Sequence, residues 1–220
     1  MAIPKSASSS LVTSLERVTG WPKTNALIRK QYLTPVSAPE GYKQLERFHS
    51  EVAELTPEIV QLLRRPRQIA KLHVVPTDNN RALLHNVQKV ILLRPAEEIV
   101  AAYWRGQETS TWTTMVREIA RCNTLDQWQE VARSIGLTAE LENFNSGWRS
   151  ASSDALLITY EELTNNPEAT IGKVLDYFGI KVEQLPTLGR VNYTRDGGRG
   201  TTAWKKLWFS GKWLWARVVD

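Results

Sequence analysis

Apolar positions along this chain switch between two periods, and the switches mark its elements. Leu11, Val12, Leu15 and Val18 fall on one helical stripe, with Gly20 placed to close the last turn, so a helix is predicted directly after the serine run. The stretch from Trp21 to Glu40 carries Pro22, Pro35 and Pro39 and reads as a surface loop. Helical spacing resumes at Leu45, Phe48, Val52 and Leu55. Pro57 then opens a short helix through Leu63, which Arg64-Arg65-Pro66-Arg67 ends. Gln68 to Val75 is a strand candidate. Lys89 to Leu93 is apolar without alternation, the pattern of a strand covered on both faces, and is read as central and parallel. Arg94 and Pro95 stop it, and Ile99, Val100 and Tyr103 return to helical spacing. Thr109 to Arg149 reads as two or three helices carrying Trp112, Met115, Ile119, Leu125, Trp128 and Val131, the tryptophans as core. A third strand, Ala155 to Thr159, precedes Tyr160-Glu161-Glu162-Leu163 and a helix with Asn166 at its cap, Pro167 at its first position and Gly179 at its close.

Strand followed by helix, repeated, predicts an α/β fold: a three-layer sandwich with a central, mainly parallel sheet flanked by helices, whose ligands bind beyond the carboxyl ends of the strands. A length of 220 residues, 42% hydrophobic, suits one domain over 1–220. The formal charge of +5 points to an anionic partner without naming it. Cys122 is the only cysteine, which excludes an intrachain disulfide and a cysteine-based zinc cluster. Lys5 and the serines interrupt any apolar signal-peptide core, and no apolar run is long enough to span a bilayer, so the chain reads as soluble and cytoplasmic.

The segment Ile3-Pro4-Lys5-Ser6-Ala7-Ser8-Ser9-Ser10-Leu11 concentrates the chemistry. It sets one ammonium and four hydroxyls where a strand turns into a helix, and the unpaired N–H groups and dipole of a helix N-terminus favour an anion. On this segment alone two readings stand, an oxyanion cradle for phosphate or sulfate and a merely capped, solvated helix start. It is not the GxxxxGK[ST] loop, since no glycine occurs before Gly20.

Taken together, four segments resemble the sulfotransferases that use 3′-phosphoadenosine 5′-phosphosulfate. Pro4 to Leu11 is similar to that family's PKSGTTWL loop, a P-loop-like phosphosulfate loop at the N-terminus. Lys71-Leu72-His73-Val74-Val75-Pro76 is similar to its KTHLP segment. Val90-Ile91-Leu92-Leu93-Arg94-Pro95 with Glu98 to Tyr103 resembles the family's strand, RDPRD and VSYY elements, and Ile158 to Leu163 its YEDL element. The resemblance implies that Lys5, Ser6, Ala7, Ser8, Ser9 and Ser10 hold the phosphosulfate, with Lys5 stabilising the leaving group. It implies that Arg94 and the position of Ala102 meet the 3′-phosphate, that Tyr160 lies against adenine, and that His73 is the general base, with Lys71 near the sulfuryl group. Arg199 and Gly200, in Arg199 to Lys205, correspond loosely to a further element, RKGxxGxWK. The implied donor is 3′-phosphoadenosine 5′-phosphosulfate, the product adenosine 3′,5′-bisphosphate, and no metal is implied. The acceptor would be a small molecule, carbohydrate or lipid.

The sequence departs from the pattern at two places. Ala7 replaces the loop glycine, where a positive φ is expected to be disfavoured. Ala102 replaces a serine, removing one hydroxyl. Two other classes stay open. A nucleotide kinase or NTPase would need magnesium held by an acidic residue closing a strand, and here Arg94 closes it. A non-catalytic binder of membrane or nucleic acid would use residues 197–219, which lack acids and interleave Arg199, Lys205, Lys206, Lys212 and Arg217 with four tryptophans. The preferred reading packs this tail, within 184–220, over the donor site, with at most weak membrane-surface contact and no nucleic acid.

Overall fold

The computed structural model describes residues 1–2, 5–24, 33–34, 39–48, 54–106, 118–151, 154–183 and 185. All of them belong to one compact unit within Met1–Gly189. The tail, Arg199 and Gly200 among it, lies outside the described residues, as do Ile3, Pro4, Trp112 and Met115.

The fold is mixed α/β around a small parallel sheet. Strands β3 (Lys89–Leu93) and β4 (Ala155–Thr159) pair in parallel from Lys89 opposite Ala155 to Leu93 opposite Thr159. Other segments extend this pair without forming long ladders. Ala2 makes a parallel bridge to Leu92, the Ala2 N–H donates to the Leu72 carbonyl, and Lys23 bridges Ile69 in parallel. The strand expected over Gln68–Val75 is corrected: among the described residues no strand forms there, and the segment's backbone meets its neighbours only through the Ile69 bridge and the Leu72 carbonyl, too few bonds for a ladder. A separate antiparallel pair joins β1 (Leu33–Thr34) to β2 (Glu54–Leu55).

Helices follow the sheet segments. Helix α1 (Ser8–Thr19) ends at Gly20 in the left-handed region, as its spacing predicts. Helices α2 (Lys43–Phe48), α3 (Pro57–Leu63) and α4 (Asp78–Leu84) precede β3. Helix α5 (Ala96–Gly106) follows it, then a 3₁₀ turn (Ile119–Arg121), α6 (Leu125–Ser134) and α7 (Leu137–Ser150). After β4 come α8 (Tyr160–Asn165) and α9 (Pro167–Tyr177). Thr159 and Glu162 form a reciprocal capping box at the start of α8. The helix expected to run from Leu45 to Leu55 is corrected: α2 stops at Phe48 and Leu55 is in a strand. Two long-range contacts hold those places. The buried Glu140 carboxylate accepts from the N–H groups of Gln44 and Leu45, and Asn80 Oδ1 accepts from the Leu55 N–H.

Side chains on β3 alternate between two cores. Ile91 and Leu93 join α5, α6 and α7 in a cluster containing Ile99, Trp128, Phe144 and Trp148. Leu92 joins Leu11 of α1, Ile158 of β4 and Ile171, Val174 and Leu175 of α9 in the other. Both buried indoles satisfy their N–H groups, Trp128 on the Val100 carbonyl and Trp148 on that of Val74. The packing brings the loop after Ala2, the end of the 69–75 segment, Arg94 after β3 and Tyr160 after β4 to one region of the molecule.

Candidate anion-binding site

The turn into α1 is built from residues of alternating hand. Lys5 has φ 65° and Ala7 φ 66°, while Ser6 between them is not among the positive-φ residues. Such alternation points successive backbone N–H groups into one concavity, a geometry that suits anions. Ala7, expected to resist a positive φ, adopts one: it is the N-cap of α1, and its carbonyl accepts from the N–H groups of both Ser10 and Leu11. The strained conformer persists because the chain must reverse there to start the helix. No serine side chain caps α1. Ser6 is fully buried and Ser8 nearly so, whereas Ser9 and Ser10 are half-buried.

Ala7→Gly removes the side-chain penalty of a left-handed residue, roughly 1–2 kcal/mol, offset by glycine's entropy cost. The expected result is a gain of up to ~1 kcal/mol in urea unfolding.

Three elements converge on this turn. The Lys5 ammonium lies against the last turn of α5, where a Cβ added to Gly106 would sit 3.0 Å from Nζ. Burial lowers the Lys5 pKa below its usual 10.5, and the C-terminal end of a helix favours a cation nearby. The Lys71 ammonium donates to Ser9 Oγ at 3.2 Å. Arg94, only 6% exposed, donates from Nη1 to the Lys5 carbonyl and from Nε to Glu98 Oε2 at 3.2 Å. Its guanidinium lies 3.7 Å over the ring of Tyr160, so Arg94 covers one face of that ring.

His73 is buried, and Nδ1 is 2.6 Å from the Ala2 carbonyl. A carbonyl only accepts, so Nδ1 carries the proton and Nε2 is the basic nitrogen. The histidine's segment is also clamped from outside. A Cβ on Gly147 of α7 would come within 2.5 Å of Pro76 Cγ, so only glycine lets this helix lie so close. Ala102 is half-buried on α5. Two neighbours carried no signal in the motifs, Gly106 and Asn145. The second donates to the Arg94 carbonyl at 2.7 Å, and its one trace in sequence is a polar residue set among Leu141, Phe144 and Trp148.

No family model matches the chain, and no curated protein is similar to it in sequence. A solved structure similar to it is a sulfotransferase from Alicyclobacillus acidocaldarius, 12% identical, covering 95% of this chain and 88% of that one, with a TM-score of 0.46. Among the described residues, no helix is long and apolar enough to cross a membrane.

The Glu98 carboxylate competes with any anion for Arg94. It is about half exposed, so the pair contributes little to stability, roughly 0.2–1 kcal/mol. Glu98→Gln should tighten binding of a phosphate-bearing anion up to about fivefold by titration calorimetry, with urea unfolding almost unchanged.

Proposed function

We propose that this protein is a sulfotransferase that moves a sulfuryl group from 3′-phosphoadenosine 5′-phosphosulfate to an acceptor hydroxyl or amine. The observation that carries the reading is the turn Lys5–Ala7. Its alternating backbone precedes a helix N-terminus, has a half-desolvated ammonium beside it, and is tied through the Lys5 carbonyl to Arg94. This arrangement suits two anionic groups at once, one at the turn and one at the guanidinium, as a bisphosphorylated nucleotide would present. The wider framework proposed is a three-layer sandwich with the turn as its P-loop-like element, in a single domain over 1–220.

In this reading the backbone N–H groups of the turn, with Ser9 and Ser10, hold the 5′-phosphosulfate. The Lys5 ammonium stabilises charge developing on the leaving oxygen. Arg94 binds the 3′-phosphate from one side of Tyr160, whose remaining surface is available to adenine. His73 takes the acceptor's proton on Nε2, while the bond from Nδ1 to the Ala2 carbonyl holds the ring in that tautomer. Lys71 steadies Ser9 and adds positive charge. The absence of a serine hydroxyl at position 102 costs about 0.5–1.5 kcal/mol of 3′-phosphate binding. The protein would act in the cytoplasm on a small-molecule, carbohydrate or lipid acceptor.

The test is titration calorimetry with adenosine 3′,5′-bisphosphate in the presence of a metal chelator. Saturable one-to-one binding, weakened in Arg94→Lys, is the expected result. Absence of binding by the folded protein overturns the reading.

A further inference from the structure

A cavity borders the candidate site at Ser8 and Lys71 and extends away from it, and its contents are a question separate from the sulfotransferase reading. It lies beneath α1 and has a volume of about 640 Å³, within the range of small-molecule sites. Its walls are the inner stripe of α1 (Leu11, Leu15), the early part of β3 (Val90) and the chain leaving α9 (Phe178, Ile180). Arg94, Tyr160 and His73 do not line it, and of the nucleotide turn it touches only Ser8.

The charges around the cavity have one sign. Five basic residues line it and no aspartate or glutamate does. Two of the five are engaged: Lys71 holds Ser9, and Lys89 holds Asp154 at 2.7 Å together with the carbonyls of Leu84 and Val87. The other three are Arg64, Arg65 and Arg67. All are exposed, and among the described residues no carboxylate pairs with any of them.

Their loop is ordered by specific bonds. The Arg65 N–H donates to the Leu62 carbonyl, the Gln68 amide donates to the same carbonyl, and the Ile69 N–H donates to the Pro22 carbonyl. Arg67 is held at φ 56°, left-handed for a residue with a side chain. Strain of this kind persists where surrounding structure fixes it, and it gathers at ligand sites.

We propose that this cavity binds a single-chain anionic amphiphile, its hydrocarbon between α1 and the sheet and its headgroup on Arg64, Arg65 and Arg67. An apolar tail alone would make no use of the three guanidinium groups at the mouth, which no carboxylate pairs among the described residues, and a small inorganic anion would leave the apolar walls wet. A molecule with both parts satisfies both.

The probe is dodecanoate below its micelle concentration, titrated into the full chain by calorimetry. Dodecanol, acetate and vesicles of anionic phospholipid serve as comparisons. Expected are saturable one-to-one binding of dodecanoate, at least about tenfold weaker binding of dodecanol and of the R64E/R65E double variant, and no binding of acetate. Leu15→Trp narrows the cavity at its α1 wall and should weaken dodecanoate binding. The exposed arginine variants keep the proposal testable if Leu15→Trp does not fold. Equal binding of dodecanol and dodecanoate, indifference to charge reversal, or association with vesicles alone would each overturn it.

Discussion

His73→Asn should leave nucleotide affinity within about twofold of wild type and cut sulfuryl transfer by roughly 10²–10⁴-fold, the usual contribution of a positioned general base. Asparagine is the informative replacement because its amide nitrogen falls near the position of Nδ1. It can keep donating to the Ala2 carbonyl, which accepts from the histidine at 2.6 Å, while the basic Nε2 is gone. A purely structural histidine would behave differently: the asparagine variant would then turn over normally and His73→Leu would simply unfold. Turnover is read with radiolabelled sulfuryl donor and a panel of phenolic and amine acceptors, affinity by calorimetry on the same preparations. Transfer by His73→Asn at the wild-type rate would remove the residue from the chemistry.

Lys5→Met carries the second large effect. A charge-assisted contact contributes about 1.5–3 kcal/mol, so adenosine 3′,5′-bisphosphate should bind about 10- to 100-fold more weakly. The pH dependence distinguishes this from general damage. Burial lowers the Lys5 pKa below 10.5 in the free protein. An anion placed beside it favours the charged form and raises the pKa again, so binding takes up protons wherever the free ammonium has begun to dissociate. Affinity is therefore full below the free-state pKa and is lost as pH rises through it. Wild type should show this alkaline decline starting below pH 10.5, and Lys5→Met should not. Parallel profiles for the two proteins would place the nucleotide away from Lys5.

Part of the fold was legible in the chain because the signals are local. Lys89–Leu93 is an unbroken apolar run and forms the strand that feeds both cores. Gly20 and Gly179 mark helix ends by their positive φ, and Thr159 with Glu162 sits at the spacing of a capping box. What periodicity missed depends on distant partners. The false extension of α2 toward Leu55 ignores Asn80, 25 residues away, which captures the Leu55 N–H. Helix α4 is short and mostly polar, with its start fixed by the Thr77 side chain on the Asn80 N–H. Its sequence has no apolar stripe to read. Ala7 shows a different limit, since residue preference argues against a conformation that the reversal into α1 requires. Tyr160 is a further case: the motif places it at the site, and only coordinates show that Arg94 already lies on its ring.

The close approach of Gly147 to Pro76 ties the segment that carries His73 to a helix. Helix α7 grips the 73–76 segment twice, through bare backbone against the proline ring and through the Trp148 indole on the Val74 carbonyl. Helix and segment are thereby tied at two points. In the proposed reaction a displacement of α7 would carry the 73–76 segment with it and alter the reach of the imidazole, so turnover would be tunable from a helix that never touches the reacting atoms.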